Sequence, residues 1–322
     1  MAGRTESSSA IASGGHQNAY GGGSKDAFLA KFNASGVRQW GSYYGGTAGD
    51  WGLACAADGG GNVYLAGTTG SNTAITSGGH QAALGGSNDA FLVKFAPNGL
   101  RQWATYYGGT GEDEGTSCAV DASGNVYLAG ITASGTAIAS GGHQGTFGGG
   151  SRDAFLVAFN ATGIRQWGTY YGGANNDEGT SCAVDGNGNV YLAGTTASDT
   201  AIADGGHQET YGGGVFDAFL VKFDGDATVG ITSTEDGERS FSIWPNPNTG
   251  DRFFLHAHES GLAEVQLFDA LGKLQRTEHL QWIQGQAPLE MNLGSDLTKG
   301  LYLVRITVEG RSSVAPIMIE QD

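Results

Sequence analysis

Cationic side chains are scarce in this sequence. Sixteen Lys and Arg stand against 32 Asp and Glu in 322 residues, a formal charge of −16. The deficit holds in both parts of the chain, −10 over residues 1–230 and −6 over residues 231–322. A surface of that sign repels phosphate backbones and anionic lipid, which argues against nucleic acid and membrane surfaces as partners. Long apolar runs are missing as well, so no stretch approaches the roughly 20 residues a membrane-spanning helix needs. Residues 1–17 have neither the basic end nor the apolar centre of a secretory leader. Cysteine is reduced to Cys55, Cys118 and Cys182, an odd number at spacings that match no metal motif. There is no G-x-S-x-G elbow, no H-E-x-x-H and no P-loop. The chain is therefore not expected to be an enzyme or to need a cofactor.

What is abundant is glycine, and it is unevenly spread. Of 58 Gly, 50 fall in residues 1–230, whereas Pro245, Pro247, Pro288 and Pro316, four of the five prolines, follow. Such a shift marks a domain boundary. The Gly-rich part is periodic. "DAFLAKF", "DAFLVKF", "DAFLVAF" and "DAFLVKF" begin at Asp26, Asp89, Asp153 and Asp217; "RQW" ends at Trp40, Trp103 and Trp167; "GGH" ends at His16, His80, His143 and His207. A fixed period of about 64 residues means an array of equal structural units. The three Cys are one position seen three times, read as a small buried residue on a repeated strand.

Each period reads as four short antiparallel strands. "GTSCAVD" and "NVYLAGIT" flank "DASGN", where Gly124 supplies the positive φ of a tight hairpin. A long Gly-rich loop leads to "DAFLVAF", and "NATG" turns that strand into "IRQWGTYYGG". Both faces of "DAFLVAF" are apolar, so the sheet must be covered on both sides. Four-stranded sheets sandwiched between their own copies describe the blades of a β-propeller. The stretch from "DAFLVKF" through "RQWATYYGGTGEDEGTSCAVDASGNVYLAGIT" resembles the SBBP repeat, a β-propeller repeat of secreted bacterial proteins, and the resemblance covers residues 1 to about 224. The fold expected is thus all-β: a partial propeller, residues 1–228, of about 3.5 blades of a larger ring. "MAGRTESSSAIASGGHQ" aligns without a gap on "LAGTTASDTAIADGGHQ" at Leu192, so Met1 is expected to be an internal residue of a longer polypeptide.

An acidic, Ser/Thr-rich linker, residues 229–240, precedes a different text. Alternation in "AEVQLFD" and "LYLVRITV" argues a small immunoglobulin-like β-sandwich over residues 241–322. The motifs Pro245-Asn246-Pro247 with Gly250, then Gly272-Lys273, then Gly300 with Tyr302, resemble the type A C-terminal sorting domain of proteins exported by the type IX secretion system of Bacteroidota-type bacteria. That resemblance implies the secretion machinery as a partner. It also implies a secreted or outer-membrane-attached protein at the surface of a Gram-negative cell.

Three features carry candidate chemistry. Glu112, Asp113 and Glu114 in one inter-blade loop, with Asp177 and Glu178 in the next, are oxygen donors of the kind calcium takes in sets of 6–8. Solvation of a charged rim accounts for them without an ion, and the equivalent "TAGDWG" keeps one carboxylate. The histidine of each "GGH" is a metal ligand or, more simply, part of a structural turn. The aromatics of "RQWGTYYGG" pack blade to blade or stack on sugars. The function expected is binding or display of a glycan or protein ligand at the cell surface. Two other readings stand beside it: the accessory part of an exported enzyme, such as a polysaccharide hydrolase with its catalytic region upstream, and a structural or adhesin spacer.

Overall fold

The repeat sets where the strands fall. The computed structural model describes residues 1–223 and, beyond them, seven strands between residues 241 and 319. No helix occurs among the described residues. The first sheet is Ala2–Thr5 (β1), Asp26–Phe32 (β2) and Arg38–Tyr44 (β3); the second is Asp50–Ala57 (β4), Val63–Thr69 (β5), Asp89–Phe95 (β6) and Arg101–Tyr107 (β7). The third is Asp113–Val120 (β8), Val126–Thr132 (β9), Asp153–Phe159 (β10) and Arg165–Tyr171 (β11), and the fourth is Asp177–Val184 (β12), Val190–Thr196 (β13) and Asp217–Phe223 (β14). All neighbours are antiparallel and follow chain order. The first strands of successive blades, β4, β8 and β12, touch one another, while the first sheet has no counterpart to them.

Each hairpin is fixed by one Asp. Asp121 Oδ1 accepts the Ser123 and Asn125 amides at 2.9 and 2.8 Å, and Gly124 takes φ 83° as the turn requires. Asp58 and Asp185 repeat the arrangement.

Blades are held together by the aromatics of their outer strands. Tyr44 packs on Phe91 and Phe95 at 5.4 and 5.7 Å between ring centroids; Tyr107 meets Phe155 and Phe159 at 5.3 and 5.8 Å. Trp40 and Trp103 donate their indole N–H to the Pro97 and Ala161 carbonyls of the next blade at 2.9 and 3.0 Å. Packing, the simpler of the two expectations for these rings, thus accounts for them. Every residue of β6 and β10 is buried, as a strand between two covered faces demands.

The inserted loop has a structural place. Ser77 exchanges backbone hydrogen bonds with Ala104 of the outer strand at 3.0 and 2.9 Å, and Gln81 O accepts the Tyr106 amide at 3.2 Å; the same pairs recur in the first and third sheets. The loop therefore covers the free edge of each outer strand, where unpaired N–H and C=O groups would otherwise recruit other chains.

One expectation needs correction. Cys118 and Cys182 are buried, but Cys55 is exposed. Cys182 lies over Ser117 of β8, the first strand of the preceding blade. The first sheet offers Cys55 no such strand, so the residue type is repeated but its burial is not.

The chain divides into two units, Met1–Val229 and Gly230–Asp322. The second is a two-sheet sandwich. Phe241–Trp244 (β15), Arg252–Ala257 (β16) and Leu289–Asn292 (β19) form one sheet in the order β15-β16-β19. Gly261–Asp269 (β17), Leu274–Trp282 (β18), Gly300–Val308 (β20) and Arg311–Ile319 (β21) form the other in the order β18-β17-β20-β21. Phe253, Leu255 and Met291 of the first share a core with Val265, Leu267, Tyr302, Val304, Ile306 and Ile317 of the second. The linker and Pro245, Asn246, Pro247, Gly250, Gly272 and Lys273 lie outside the described residues.

Candidate functional site

The polar groups of the propeller gather at the junctions between blades. The Asp opening each "DAF" strand and the Asp opening the next blade's first strand face one another: Asp26 with Asp50, Asp89 with Asp113, Asp153 with Asp177, all at most 1% exposed. A Cβ on Gly45 would stand 2.6 Å from Asp50 Oδ2 and 2.9 Å from Asp26 Cγ, and Gly108 and Gly172 are hemmed in likewise. This is why "YYGG" recurs.

Within each pair the two carboxyls differ. Asp113 Oδ1 accepts the Thr132 hydroxyl, and its Oδ2 accepts Ser134 Oγ at 2.7 Å and the Gly109 amide at 2.9 Å. Asp50 has the equivalent three donors in Thr69, Ser71 and Gly46. Asp26 Oδ2 accepts the Gly21 amide at 2.6 Å and Asp153 Oδ2 that of Gly148 at 2.5 Å, but Oδ1 of each is buried with no hydrogen-bond partner. Burial, reinforced by the carboxylate across the junction, pushes Asp26 up to about 6 and Asp153 to about 7 against the donated amides.

Outside this buried layer lies an open cavity of about 430 Å³ between the first two blades. Its walls include His16, Gln17, Tyr20, Thr47, Thr73 and Arg101, and none of the described lining residues is acidic. Arg101 Nη1 donates to the Ala74 and Ile75 carbonyls at 3.2 and 3.3 Å. Ala74 is held at φ 68°, a conformation costly for a residue with a Cβ. Ala10, Ala137 and Ala201 repeat that backbone at φ 68°, 74° and 65°. Partial burial and the Arg101 charge lower the pKa of His16, which keeps its imidazole neutral at pH 7. At the next junction His80 is lowered by burial and by Arg165.

The acidic residues singled out from sequence do not form one set. Asp113 and Asp177 belong to the buried pairs, Glu112 is exposed, and Glu114 and Glu178 are half-buried on neighbouring first strands, where Glu178 pairs with Arg152 at 3.1 Å. Among the described residues no three His, Cys, Asp or Glu converge as metal ligands do. Tyr302 is buried in the core of the sandwich and Gly300 begins β20. The Asp of "DAF" and the Arg of "RQW" were not singled out. Their signal was their recurrence at fixed spacing, which hydrophobic pattern alone had already explained.

Residues 102–135 and 166–199 match the β-propeller repeat family SBBP, and residues 242–320 match the secretion system C-terminal sorting domain. The chain thus carries propeller repeats and a type IX sorting domain, which directs export to the cell surface or the medium in Bacteroidota. Among curated proteins it is similar to regulatory protein FlaEY of Caulobacter vibrioides, 28% identical over 189 residues, covering 57% of this chain and 19% of that protein. Among solved structures it is similar to PorZ, titled an essential bacterial surface component of the type IX secretion system of Porphyromonas gingivalis. That likeness has 15% identity and a TM-score of 0.24, over 92% of this chain and 33% of that one. The chain therefore spans a third or less of either relative.

Proposed function

We propose that this exported propeller is a binding and display module, not an enzyme, and that its ligand seats in the loop-lined cavities between blades. The observation that carries this reading is the cavity of about 430 Å³ walled by His16, Gln17, Tyr20 and Arg101, with His80, Gln81 and Arg165 at the same places one period on. Recurrence favours repeated weak recognition, since equal sites on a rigid scaffold gain affinity by multivalency. Catalysis, by contrast, asks for one unit to differ from the rest. The cavity presents an aromatic ring, an amide, a hydroxyl and a guanidinium in one place, a set suited to the apolar faces and hydroxyls of a glycan or to an exposed protein loop. Partnership with the secretion machinery is assigned to the tail, and ligand contact to the propeller.

The test is a glycan-array screen of the full chain, followed by titration with any ligand found. Replacing Tyr20 by Ser, which takes a ring from the cavity wall and leaves Arg101 on the Ala74 and Ile75 carbonyls, is expected to weaken binding at least tenfold while leaving the melting temperature within a few degrees. Binding that is unchanged in this variant would overturn the assignment of the cavity, and an absence of saturable binding to glycans or surface proteins would favour a spacer.

A further inference from the structure

One backbone conformation occurs twice in each inserted loop, and the two places are filled differently. Gly14, Gly78, Gly141 and Gly205, the first residues of the four "GGH" turns, stand at φ 68°, 66°, 66° and 65°. Glycine is the residue that this left-handed region favours. Four residues earlier Ala10, Ala74, Ala137 and Ala201 stand at φ 68°, 68°, 74° and 65°, and among the described residues they alone combine a side chain with a positive φ. Glycine would relieve each of them. Room does not explain the difference, because a Cβ on Gly14, Gly78 or Gly205 would meet nothing within 4 Å. Packing does not explain it either: all four alanines are exposed, and none belongs to the apolar clusters between blades. Nor is the loop closed to glycine, since the residue two before the alanine is Ser8, Asn72, Gly135 and Asp199 in the four copies. A methyl group is thus kept, against the preference of the backbone, at one exposed point of every copy.

That point is held firmly and faces the cavity. Ile75 and Ile138, next in sequence to Ala74 and Ala137, are fully buried. Arg38, Arg101 and Arg165 donate Nη1 to the Ala10, Ala74 and Ala137 carbonyls at 3.2, 3.2 and 3.3 Å. Ala74 and Thr73 line the same cavity as Tyr20 and Arg101. We propose that Ala74 is a specificity-determining residue of this cavity, that its methyl group meets a methyl group of the ligand, and that the ligand is a sugar bearing one, either an acetamido sugar or a 6-deoxy sugar. The inference rests on the reading of the cavity as a ligand site given above. Tyr20 already offers a ring to the flat C–H face of a sugar. A second, smaller apolar point fits a substituent that stands off the sugar ring, while Gln17, Thr47 and Thr73 beside it offer partners to the hydroxyls. Ala10, Ala137 and Ala201 hold the same place in their own copies.

The test titrates the full chain, followed by NMR, with two matched pairs of probes. Chitotriose and cellotriose differ by acetamido groups, and L-fucose and L-galactose differ by one exocyclic hydroxyl. An enclosed apolar pocket discriminates one methylene group by roughly 10–200-fold, so in this open cavity the methyl-bearing member of one pair should bind about fivefold tighter or more. The pair that shows the preference identifies the substituent. Replacing Ala10, Ala74, Ala137 and Ala201 together by Gly should abolish the preference, while the melting temperature stays the same or rises as the backbone is relieved. A lower melting temperature would assign the methyl groups to the fold and overturn the proposal. So would a preference that survives the Gly substitutions, or a lack of preference within both pairs. Tyr20→Ser weakens both members of a pair alike if the cavity is the site, so failure of that reading shows at Tyr20 and failure of the present one at the alanines.

Discussion

Asp26 and Asp153 each bury a carboxyl oxygen that accepts nothing; opposite Asp26 stands Asp50, which accepts at both oxygens, and opposite Asp153 stands Asp177, whose Oδ2 accepts two donors and whose Oδ1 is buried without one. Their folded-state pKa values, about 6 and about 7, lie above the ordinary 3.8, so the folded chain holds protons that the unfolded chain releases. Stability from these groups is therefore fully present below pH 4 and lost as pH rises through 6 to 7. Asp50, Asp89, Asp113 and Glu114, raised mainly by burial, act in the same direction. His16 and His80, lowered in the fold from the ordinary 6.5, act in the opposite one as pH falls below that value, and Asp58 and Asp185, lowered by their turn hydrogen bonds, weaken the fold only below about pH 4. Six groups against two should make the melting temperature fall between pH 4.5 and 7.5. Asp153→Asn should flatten that fall, and a melting temperature that rises across the range would contradict the pairing. The pairs were only half legible in the sequence. Glu112, Asp113 and Glu114 looked like one acidic loop, but the single acid also kept at Asp50 is the buried member. A residue repeated where its charged neighbours are not was the sign of a structural role.

The individual blade was legible because its signals are local. Period-two alternation gave the strands, and "DASGN" gave the hairpin, with Gly124 at φ 83°. What the alternation could not give is the irregularity within the first hairpin of each blade. Pairing of β8 with β9 slips between Gly115 and Ser117, as β4 with β5 and β12 with β13 do at equivalent places. The slip brings the Glu114 carbonyl to 1.9 Å and the Phe155 ring to 2.6 Å from where a Cβ on Gly130 would be. The Gly of "YLAG" is thus demanded by a bulge and by the ring of the neighbouring strand, not by a turn. Gly130→Ala should destabilise the fold by about 1–3 kcal/mol or more through overpacking. Gly186→Ala, which meets nothing within 4 Å, should stay within about 0.5 kcal/mol. Urea denaturation of the two variants measures the contrast, and equal midpoints would contradict the register. The left-handed Ala74 and its equivalents left no trace in the text. Their backbone is imposed by tertiary partners, the Arg101 guanidinium and the Tyr44 hydroxyl bonded to the Ile75 carbonyl.

At the scale of the molecule the chain joins two β-architectures with separate tasks. Repetition explains the propeller, because each sheet is apolar on both faces and is completed only by its neighbours, and Phe32 and Leu220 are exposed on the two sheets that have a neighbour on one side only among the described residues. Cys55 is the same effect seen at the first strand of a blade. The sandwich explains delivery: its inward Val265, Leu267, Val304 and Ile306 make a core independent of the repeats, as a domain recognised by export machinery requires. Its motif order was readable because the motifs are defined by residue type and spacing along the chain, with Gly300 at the start of β20, while the pairing of its seven described strands depends on contacts between distant segments that no local pattern encodes. The central claim is that the C-terminal unit carries the propeller to the cell surface. Residues 241–322 fused behind a Sec leader and a fluorescent protein, expressed in a type IX-competent Bacteroidota host and in a strain lacking that system, test it most directly. The account predicts reporter on the surface or in the medium of the first host and in the periplasm of the second. Reporter held in the periplasm of both would contradict it.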